Sequence, residues 1–132
     1  MTRFVLGPDA AMALAARNAE IPPRHRLLAP TLLRSQVLAH LYAEVRTGAL
    51  TRKEADMRLA TLRKLRIRLL GDRSLQQVAW RLAEQLGWGD TFAAEYLALT
   101  QLQADALVTA DAELMRSAAN VVAFASVQDV LA

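Results

Sequence analysis

The spacing of apolar residues along the chain changes repeatedly between the period of a strand and that of a helix. Side chains alternate between two faces in a strand, whereas one face of a helix repeats about every 3.6 residues. The segment RFVL, residues 3–6, predicts a short strand. Residues 10–20 predict a helix after the break at Gly7 and Pro8. The chain is therefore expected to open with a strand that is followed by a helix.

The next stretch predicts a second strand and a second helix. RLLA, residues 26–29, fits a short strand. Pro30 stands where a helix would begin, because its fixed backbone angle suits a first helical turn. Residues 31–48 predict a helix that ends at Gly48, with one buried face made by residues four positions apart: Leu33, Val37, Leu41 and Val45.

The second half of the chain repeats this alternation. Thr51 and Glu54 have the spacing of a capping box and predict the start of the next helix. In LRIRLL, residues 65–70, apolar residues alternate with arginines, which predicts an edge or half-buried strand. Two further helices are expected after the caps Asp72 and Asp90, followed by a strand in ADALVTAD, a helix in AELMRSAA and a last strand in VVAFA.

The alternation of strands and helices predicts the fold class. It implies an α/β protein with a mainly parallel central sheet that helices cover on both faces. A chain of 132 residues suffices for one core, so we expect a single domain over residues 1–132. Functional groups in such sheets gather beyond the carboxyl ends of the strands. Asp9 and Asp111 each follow a predicted strand, so they can meet in space although they are far apart in the sequence.

Composition excludes several kinds of site. The chain has no cysteine, which rules out disulfides, zinc–thiolate centres and cysteine nucleophiles. No apolar run is long enough to cross a membrane, and the first residues lack the apolar stretch of a secretory signal. We therefore expect a cytoplasmic protein without membrane attachment.

Positive charge is concentrated in one segment. The net charge is +3, and eight of the 16 basic residues lie in a single stretch: Arg52, Lys53, Arg58, Arg63, Lys64, Arg66, Arg68 and Arg73. Such a segment is equally typical of a solvated helix face with an adjoining strand edge and of a surface that binds phosphates. The charge pattern alone leaves both interpretations open.

The acidic residues suggest a cation site. Carboxylates that cluster without cysteine or paired histidines suit a hard cation such as Mg²⁺ or Mn²⁺. Such a cation orients water and stabilises the charge that develops when a phosphodiester is cut. An aspartate at the end of a strand is, however, more often the cap of the next helix than a metal ligand.

Four segments together resemble a known family: RFVLGPDAAMALA, LLAPTLLRSQVLAHL, DTFAAEYLALTQLQADALVTAD and VVAFASVQDVL. The third is the most specific, with YLAL, a short polar turn and a strand that ends VTAD. These segments are similar to the PIN-domain family, of the VapC type found in bacterial toxin–antitoxin pairs. The resemblance implies a three-layer α/β/α sandwich and a Mg²⁺- or Mn²⁺-dependent ribonuclease. It also implies RNA as substrate, a cognate antitoxin protein as partner, and a homodimer.

The resemblance carries over to the acidic site only in part. The last acid of the family falls on Asp111, and the preceding Thr109 also matches. The first acid falls on Gly7, so Asp9 would have to take its place through a rearranged turn. The family's glutamate falls on Gln36, a neutral residue of similar shape.

The remaining family acid falls on Ala93, which has no ligand to offer. Asp90 is three residues earlier, which on a helix is about 60° away and roughly the same face, so it is the better substitute. Its alternative role is to cap the helix. Glu95 points largely elsewhere and is expected at the rim of the pocket.

Two functions follow from these residues. In the first, Asp9, Gln36 and Asp111 form the catalytic site of a ribonuclease, with the metal on Asp9, Asp90 and Asp111 and Thr109 near the bound water. The RNA phosphates would then be held by basic residues: Arg34, Arg63, Lys64, Arg66 and Arg68. In the second, the PIN domain is catalytically degenerate and acts as an RNA- or protein-binding module. Under either reading, the apolar face of LQQVAWRLAEQLGW could pair two copies or dock the antitoxin.

Overall fold

A five-stranded parallel sheet forms the centre of the molecule, in a computed structural model that describes residues 1–132. The order of strands across the sheet is β3-β2-β1-β4-β5. All four neighbouring pairs are parallel. In chain order, the strands are β1 (Thr2–Leu6), β2 (His25–Pro30), β3 (Arg68–Leu70), β4 (Ala106–Val108) and β5 (Phe124–Ala125).

Helices connect the strands and form the two outer layers. They are α1 (Pro8–Ala16), α2 (Leu32–Arg46), α3 (Arg52–Lys64), α4 (Arg73–Leu86), α5 (Phe92–Gln103), α6 (Ala112–Ser117) and α7 (Val127–Leu131). Helix α5 packs across β1, β2 and β4 and also contacts α4, whereas α1 packs against α2 and α3. The predicted α/β sandwich with a parallel sheet is thus confirmed.

One continuous apolar core lies between the layers. Its members come from the sheet and from the inner faces of the helices, and Val5, Leu6, Leu14 and Leu107 have no exposed surface at all. Strand β4 and the last three residues of β1 are buried, as expected for a parallel sheet that is covered on both faces. None of the helices combines the length and the apolar character that a membrane span requires.

Several element boundaries differ from the prediction. Pro30 ends β2 instead of opening α2, and the N–H of Thr31 then donates to the carbonyl of Leu70 on the neighbouring strand. The predicted strand at residues 65–70 is reduced to Arg68–Leu70, because Arg66 adopts a left-handed conformation with φ of 54°. Its edge position in the sheet is confirmed.

The order of the strands reverses between β1 and β4. The chain runs from β1 outward to β2 and β3, and then returns to the other side of β1 with β4 and β5. In open α/β sheets, the crevice beyond the carboxyl ends of the strands at such a switch point is the usual place for a ligand. The loops after β1 and β4 meet at this point.

Candidate functional site at the carboxyl edge of the sheet

The carboxylate of Asp9 is tied to the loop after β4. Asp9 lies in the first turn of α1, directly after β1. Its two oxygens accept hydrogen bonds from the Thr109 hydroxyl at 3.1 and 3.0 Å, and one of them also accepts from the backbone N–H of Ala110 at 2.8 Å. These bonds hold the carboxylate at the switch point, where the sequence indicated that Asp9 and Asp111 can meet.

Gly7 explains how Asp9 reaches this place. The N–H of Gly7 donates to the Val108 carbonyl at 2.9 Å, which brings the backbones after β1 and β4 together. A Cβ atom added to Gly7 would lie 2.9 Å from one carboxylate oxygen of Asp9. The Asp9 carboxylate therefore occupies space that a side chain at position 7 would need. The family resemblance places an acid at position 7, where this chain has Gly7. The turn described here is the rearrangement by which the carboxylate of Asp9 would take the place of that acid.

Asp111 lies on the other side of the Thr109 hydroxyl. It is the N-cap of α6, and its carboxylate accepts a hydrogen bond from the N–H of Leu114 at 3.1 Å. Its own N–H donates to the Thr109 hydroxyl at 3.1 Å. Asp111 is exposed, whereas Thr109 is buried. The buried threonine thus links two acids that belong to opposite ends of the chain.

Gln36 is held by a tyrosine. The hydroxyl of Tyr96, on α5, donates to the amide oxygen of Gln36, on α2, at 2.6 Å. Burial raises the pKa of Tyr96 well above its usual range, and the negative charges of Glu95 and Asp9 raise it further. Tyr96 therefore keeps the hydroxyl hydrogen that it donates to Gln36. In the sequence Tyr96 stands out only as part of the YLAL motif, and its contact with Gln36 is visible only in the structure.

The acids of the segment before YLAL lie at different places. Glu95 is half-buried, and this burial raises the pKa of its carboxyl. Asp90 is exposed and accepts a hydrogen bond from the N–H of Phe92 at 3.1 Å. The helix begins at Phe92 with Thr91 as its N-cap. The prediction that Asp90 shares a helical face with Ala93 is therefore wrong, because Asp90 precedes the helix.

The two histidines take no part in this site. His40 lies on α2 one turn after Gln36, but it pairs with Glu44 at 2.5 Å and its side chain is 58% exposed. His25 lies at the start of β2, at the opposite edge of the sheet.

The side chains at the carboxyl edge of the sheet determine which kind of metal ion could bind there. Nowhere do three or more histidine, aspartate or glutamate side chains form a group that could hold a metal ion. The site offers the carboxylates of Asp9 and Asp111, the amide of Gln36 and the hydroxyl of Thr109. Mg²⁺ is commonly held by one or two carboxylates together with water and substrate phosphates. The residues present fit such an open site and do not form a closed cage of carboxylates.

The basic residues divide between two surfaces. Arg34 and Arg63 line a groove of about 930 Å³ between α2 and α3, whose walls are mainly apolar. Lys64 and Arg68 line a second cleft, at the amino edge of the sheet, and Arg66 borders both. The five predicted RNA-binding residues therefore do not form one patch beside the acids.

Comparison with known proteins supports the fold. The structure is similar to PAE2754 from Pyrobaculum aerophilum, with a TM-score of 0.70, 21% sequence identity, and coverage of 98% of this chain and 94% of that chain. It is also similar to VapBC-1 from nontypeable Haemophilus influenzae, with a TM-score of 0.63, 13% identity, and coverage of 96% of this chain and 98% of that chain. No family model matches the sequence, and no curated protein matches it significantly. The two structural likenesses confirm the predicted PIN-like α/β/α sandwich.

Proposed function

We propose that this protein is a PIN-like endoribonuclease of the VapC type that cuts RNA with Mg²⁺ or Mn²⁺ at the carboxyl edge of the sheet. The observation that carries the proposal is the pair Asp9 and Asp111, arranged around the hydroxyl of Thr109 at the topological switch point. A phosphate of the RNA would complete the coordination of the cation. This arrangement suits Mg²⁺, which keeps water and phosphate ligands beside a few carboxylates.

Each residue has a defined task in this proposal. Asp9 and Asp111 bind the cation, and Thr109 keeps the two acids apart at a constant separation. Gln36 presents its amide group to the substrate, and the bond from Tyr96 fixes the orientation of that amide. The cation, when bound, would orient the attacking water and neutralise charge on the phosphate that is cut. Glu95 would lie at the rim. Asp90 precedes α5 and accepts a hydrogen bond from the N–H of Phe92, so it is assigned only an accessory role.

We also propose partners for this protein: an antitoxin, a second copy of the chain, and RNA. The similarity to VapBC-1 supports a cognate antitoxin as the protein partner. The α2–α3 groove, bordered by the exposed Leu38, offers an apolar surface for such a partner. Trp80 on α4 is 67% exposed, which supports a homodimer through α4. Arg34 on α2 and Arg63 on α3 are exposed at the same groove and are proposed to hold RNA phosphates when the antitoxin is not bound.

A second function is favoured by a different observation. Gln36 and Ala93 stand where the family resemblance places acids, and the hydrogen bond from Tyr96 already engages the Gln36 oxygen. On this evidence the alternative is a degenerate PIN domain that binds RNA or protein without cutting it. The two functions differ in whether a cation is bound when RNA is present.

Calorimetric titration of Mn²⁺ separates the two functions. The chelator-treated protein is titrated with and without a short RNA that cannot be cleaved, and RNA cleavage is measured in parallel. We expect weak Mn²⁺ binding to the protein alone and tighter binding with RNA, because the phosphate supplies missing ligands. Asp111→Asn should weaken binding by at least about tenfold, or about 1.4 kcal/mol, and should abolish cleavage.

Asparagine is chosen at this position because it also caps helices well, so α6 should persist. Glu113→Gln is the matched control, since Glu113 is an exposed acid two residues away that makes no hydrogen bond to the backbone. It should behave like the natural protein. Absence of both Mn²⁺ binding and cleavage in the presence of RNA would contradict the nuclease and favour the non-cleaving module.

A further inference from the structure

A second cleft lies at the amino edge of the sheet, opposite the acidic site. It has a volume of about 1120 Å³. Its walls come from the turn after α1, the first residues of β1 and β2, and the end of α3, with Gln103 at the end of α5. Because all five strands are parallel, this edge and the carboxyl edge lie at opposite ends of every strand. The cleft is therefore separate from the site of Asp9 and Asp111.

The charge of this cleft is strongly one-sided. Five cationic side chains line it, against the single acid Glu20: Arg3, Arg26, Lys64, Arg66 and Arg68. None of the five forms a salt bridge. The guanidinium of Arg26 donates only to the backbone carbonyls of Pro23 and His25, at 2.7 and 3.4 Å. The positive charge of the cleft is thus not neutralised by the protein itself.

His25 is the second observation that points to a ligand. It lines the same cleft, and both of its ring nitrogens are buried without a hydrogen-bond partner. Its ring packs edge-on against Phe4, with 5.1 Å between the ring centroids. Buried polar side chains are nearly always hydrogen-bonded, so this imidazole lacks a partner, which a ligand in the cleft would supply once the ring turns towards it.

The backbone around the cleft is also unusual. Asn18 and Arg66 are the two residues other than glycine with positive φ, at 49° and 54°, and both line the cleft. The side chain of Asn18 accepts a hydrogen bond from Thr61 at 3.2 Å, which joins the end of α1 to α3. Both residues follow the end of a helix, where the left-handed conformation is common, so two helix ends shape this wall of the cleft.

We propose that this cleft binds phosphate groups, carried by a free nucleotide or by a nucleic-acid strand. Guanidinium and ammonium groups are the usual partners of phosphate oxygens, and His25 can donate to the same anion. The apolar floor, formed by Ile21, Leu27 and Leu65, leaves room for a sugar or base. No phenylalanine, tyrosine or tryptophan lines the cleft, so recognition rests on phosphate and not on base stacking.

The cleft also borders the α2–α3 groove. Arg66 lines both, so the basic surface continues from the amino edge towards Arg63 and Arg34. A strand bound in the cleft could extend along this surface, whereas a nucleotide would stay within it. The proposal concerns phosphate binding alone and does not rest on RNA cleavage at the acidic site.

The test uses the intact protein in the presence of a chelator, so that no cation binds at the acidic edge. The triple variant Arg26→Gln, Lys64→Gln and Arg68→Gln removes charge from the cleft. A matched control, Arg46→Gln, Arg81→Gln and Arg116→Gln, removes the same charge from exposed residues outside it. The probes are ADP and a 12-nucleotide single-stranded RNA, and binding is measured by calorimetry and fluorescence anisotropy.

We expect at least one probe to bind, with the cleft variant weakened by about tenfold or more and the control changed much less. For the RNA, the slope of log Kd against log salt should fall by about two in the cleft variant, because each lost phosphate contact in a single strand removes about 0.7. Binding of ADP identifies a nucleotide as a sufficient ligand. Binding of the RNA alone identifies a strand.

Proton spectra of the natural protein provide a measurement that does not depend on the folding of the triple variants. The chain has two histidines, and His40→Gln assigns their ring resonances. The His25 signals should shift on titration with the bound probe, whereas those of His40 should not. The proposal is overturned if neither probe binds, if both triple variants weaken binding equally, or if the His25 signals stay unchanged while a probe binds.

Discussion

The hydroxyl of Thr109 holds the two ends of the chain together at the acidic site. It donates to Asp9 and accepts from the N–H of Asp111, so one small side chain fixes the placement of two acids. Its burial shields these bonds from water, which raises the cost of breaking them. Gly7 is the second residue on which this arrangement depends, because its lack of a side chain leaves room for the Asp9 carboxylate.

A methyl group at position 7 tests this dependence. In Gly7→Ala, the new Cβ would meet the Asp9 carboxylate at 2.9 Å and the Val108 carbonyl at 3.1 Å. We expect a loss of about 1–3 kcal/mol in the free energy of unfolding, as for overpacked sites, together with weaker Mn²⁺ binding. Denaturant unfolding measures the first effect and calorimetry the second.

Gly89→Ala is the matched control for this substitution. A Cβ at Gly89 meets nothing within 4 Å, so the change should be neutral or slightly stabilising. In an Asp9→Ala background the penalty of Gly7→Ala should shrink, since the main clash is gone. An unchanged penalty in that background would show that Asp9 does not occupy the space beside Gly7.

At the scale of helices and strands, local sequence determines where several helices begin and end. The predicted capping box is confirmed: Thr51 accepts from the N–H of Glu54 at 3.1 Å, and Glu54 accepts from the N–H of Thr51 at 2.9 Å. Asp72 caps α4 as predicted, and Gly87 ends it in a left-handed conformation. A second capping box, Ser126 with Asp129, opens α7, a helix that the sequence analysis did not predict.

The two capping boxes predict a loss of stability in acid. Hydrogen bonds from the backbone and side chain of Thr51 lower the pKa of Glu54, and those of Ser126 lower the pKa of Asp129. A carboxyl whose pKa is lower in the folded state stabilises the protein above its unfolded pKa and loses this effect as the pH falls through the folded pKa. The loss should therefore occur below about pH 4.5, the ordinary value for glutamate.

Thermal unfolding followed from pH 7 to pH 2 measures this effect. Glu54→Gln with Asp129→Asn should be less stable than the natural protein at pH 7, and the difference should diminish towards pH 2. Glu113→Gln, an exposed acid outside both boxes, should leave the difference between pH 7 and pH 2 unchanged. A double variant with the same acid sensitivity as the natural protein would contradict this assignment.

The whole molecule separates two kinds of charge at the two edges of one sheet. Acids lie beyond the carboxyl ends of β1 and β4, whereas unpaired cations surround the amino ends of β1 and β2. This separation follows from the parallel topology, which sends every loop of one kind to the same edge. A ligand that carries several phosphates could contact both edges only by running along the outside of the molecule.

The exposed Trp80 predicts the state of assembly. It stands on α4, whose buried face is formed by other residues, and its side chain is 67% exposed. If α4 pairs two copies, Trp80→Arg should shift the protein from dimer to monomer in sedimentation experiments, because a charge would replace a large apolar contact. Tyr42→Arg, equally exposed on α2, is the control and should leave the dimer intact. Loss of the dimer only in the Tyr42 variant would contradict pairing through α4.

The local sequence pattern was sufficient to predict those features that depend only on residues close together along the chain. The alternation of strands and helices predicted a parallel sheet, and the capping box at Thr51 and Glu54 and the cap at Asp72 lie where the sequence predicted them. Local pattern was insufficient where a neighbour in space decides. Pro30 ends a strand because β3 lies beside it and pairs with it.

The sequence by itself determined the fold class and the placement of Asp9 and Asp111 at the same edge of the sheet, because these follow from periodicity and from the rules of parallel sheets. That β1 and β4 are neighbours, so that the two acids meet, was decided by the tertiary structure. Only the tertiary structure decided how Asp9 reaches the space beside Gly7, that Tyr96 engages Gln36, and that the basic segment divides between a groove and the cleft of His25. These features depend on side chains that are distant along the chain. Their contacts are set by packing, which no local spacing encodes.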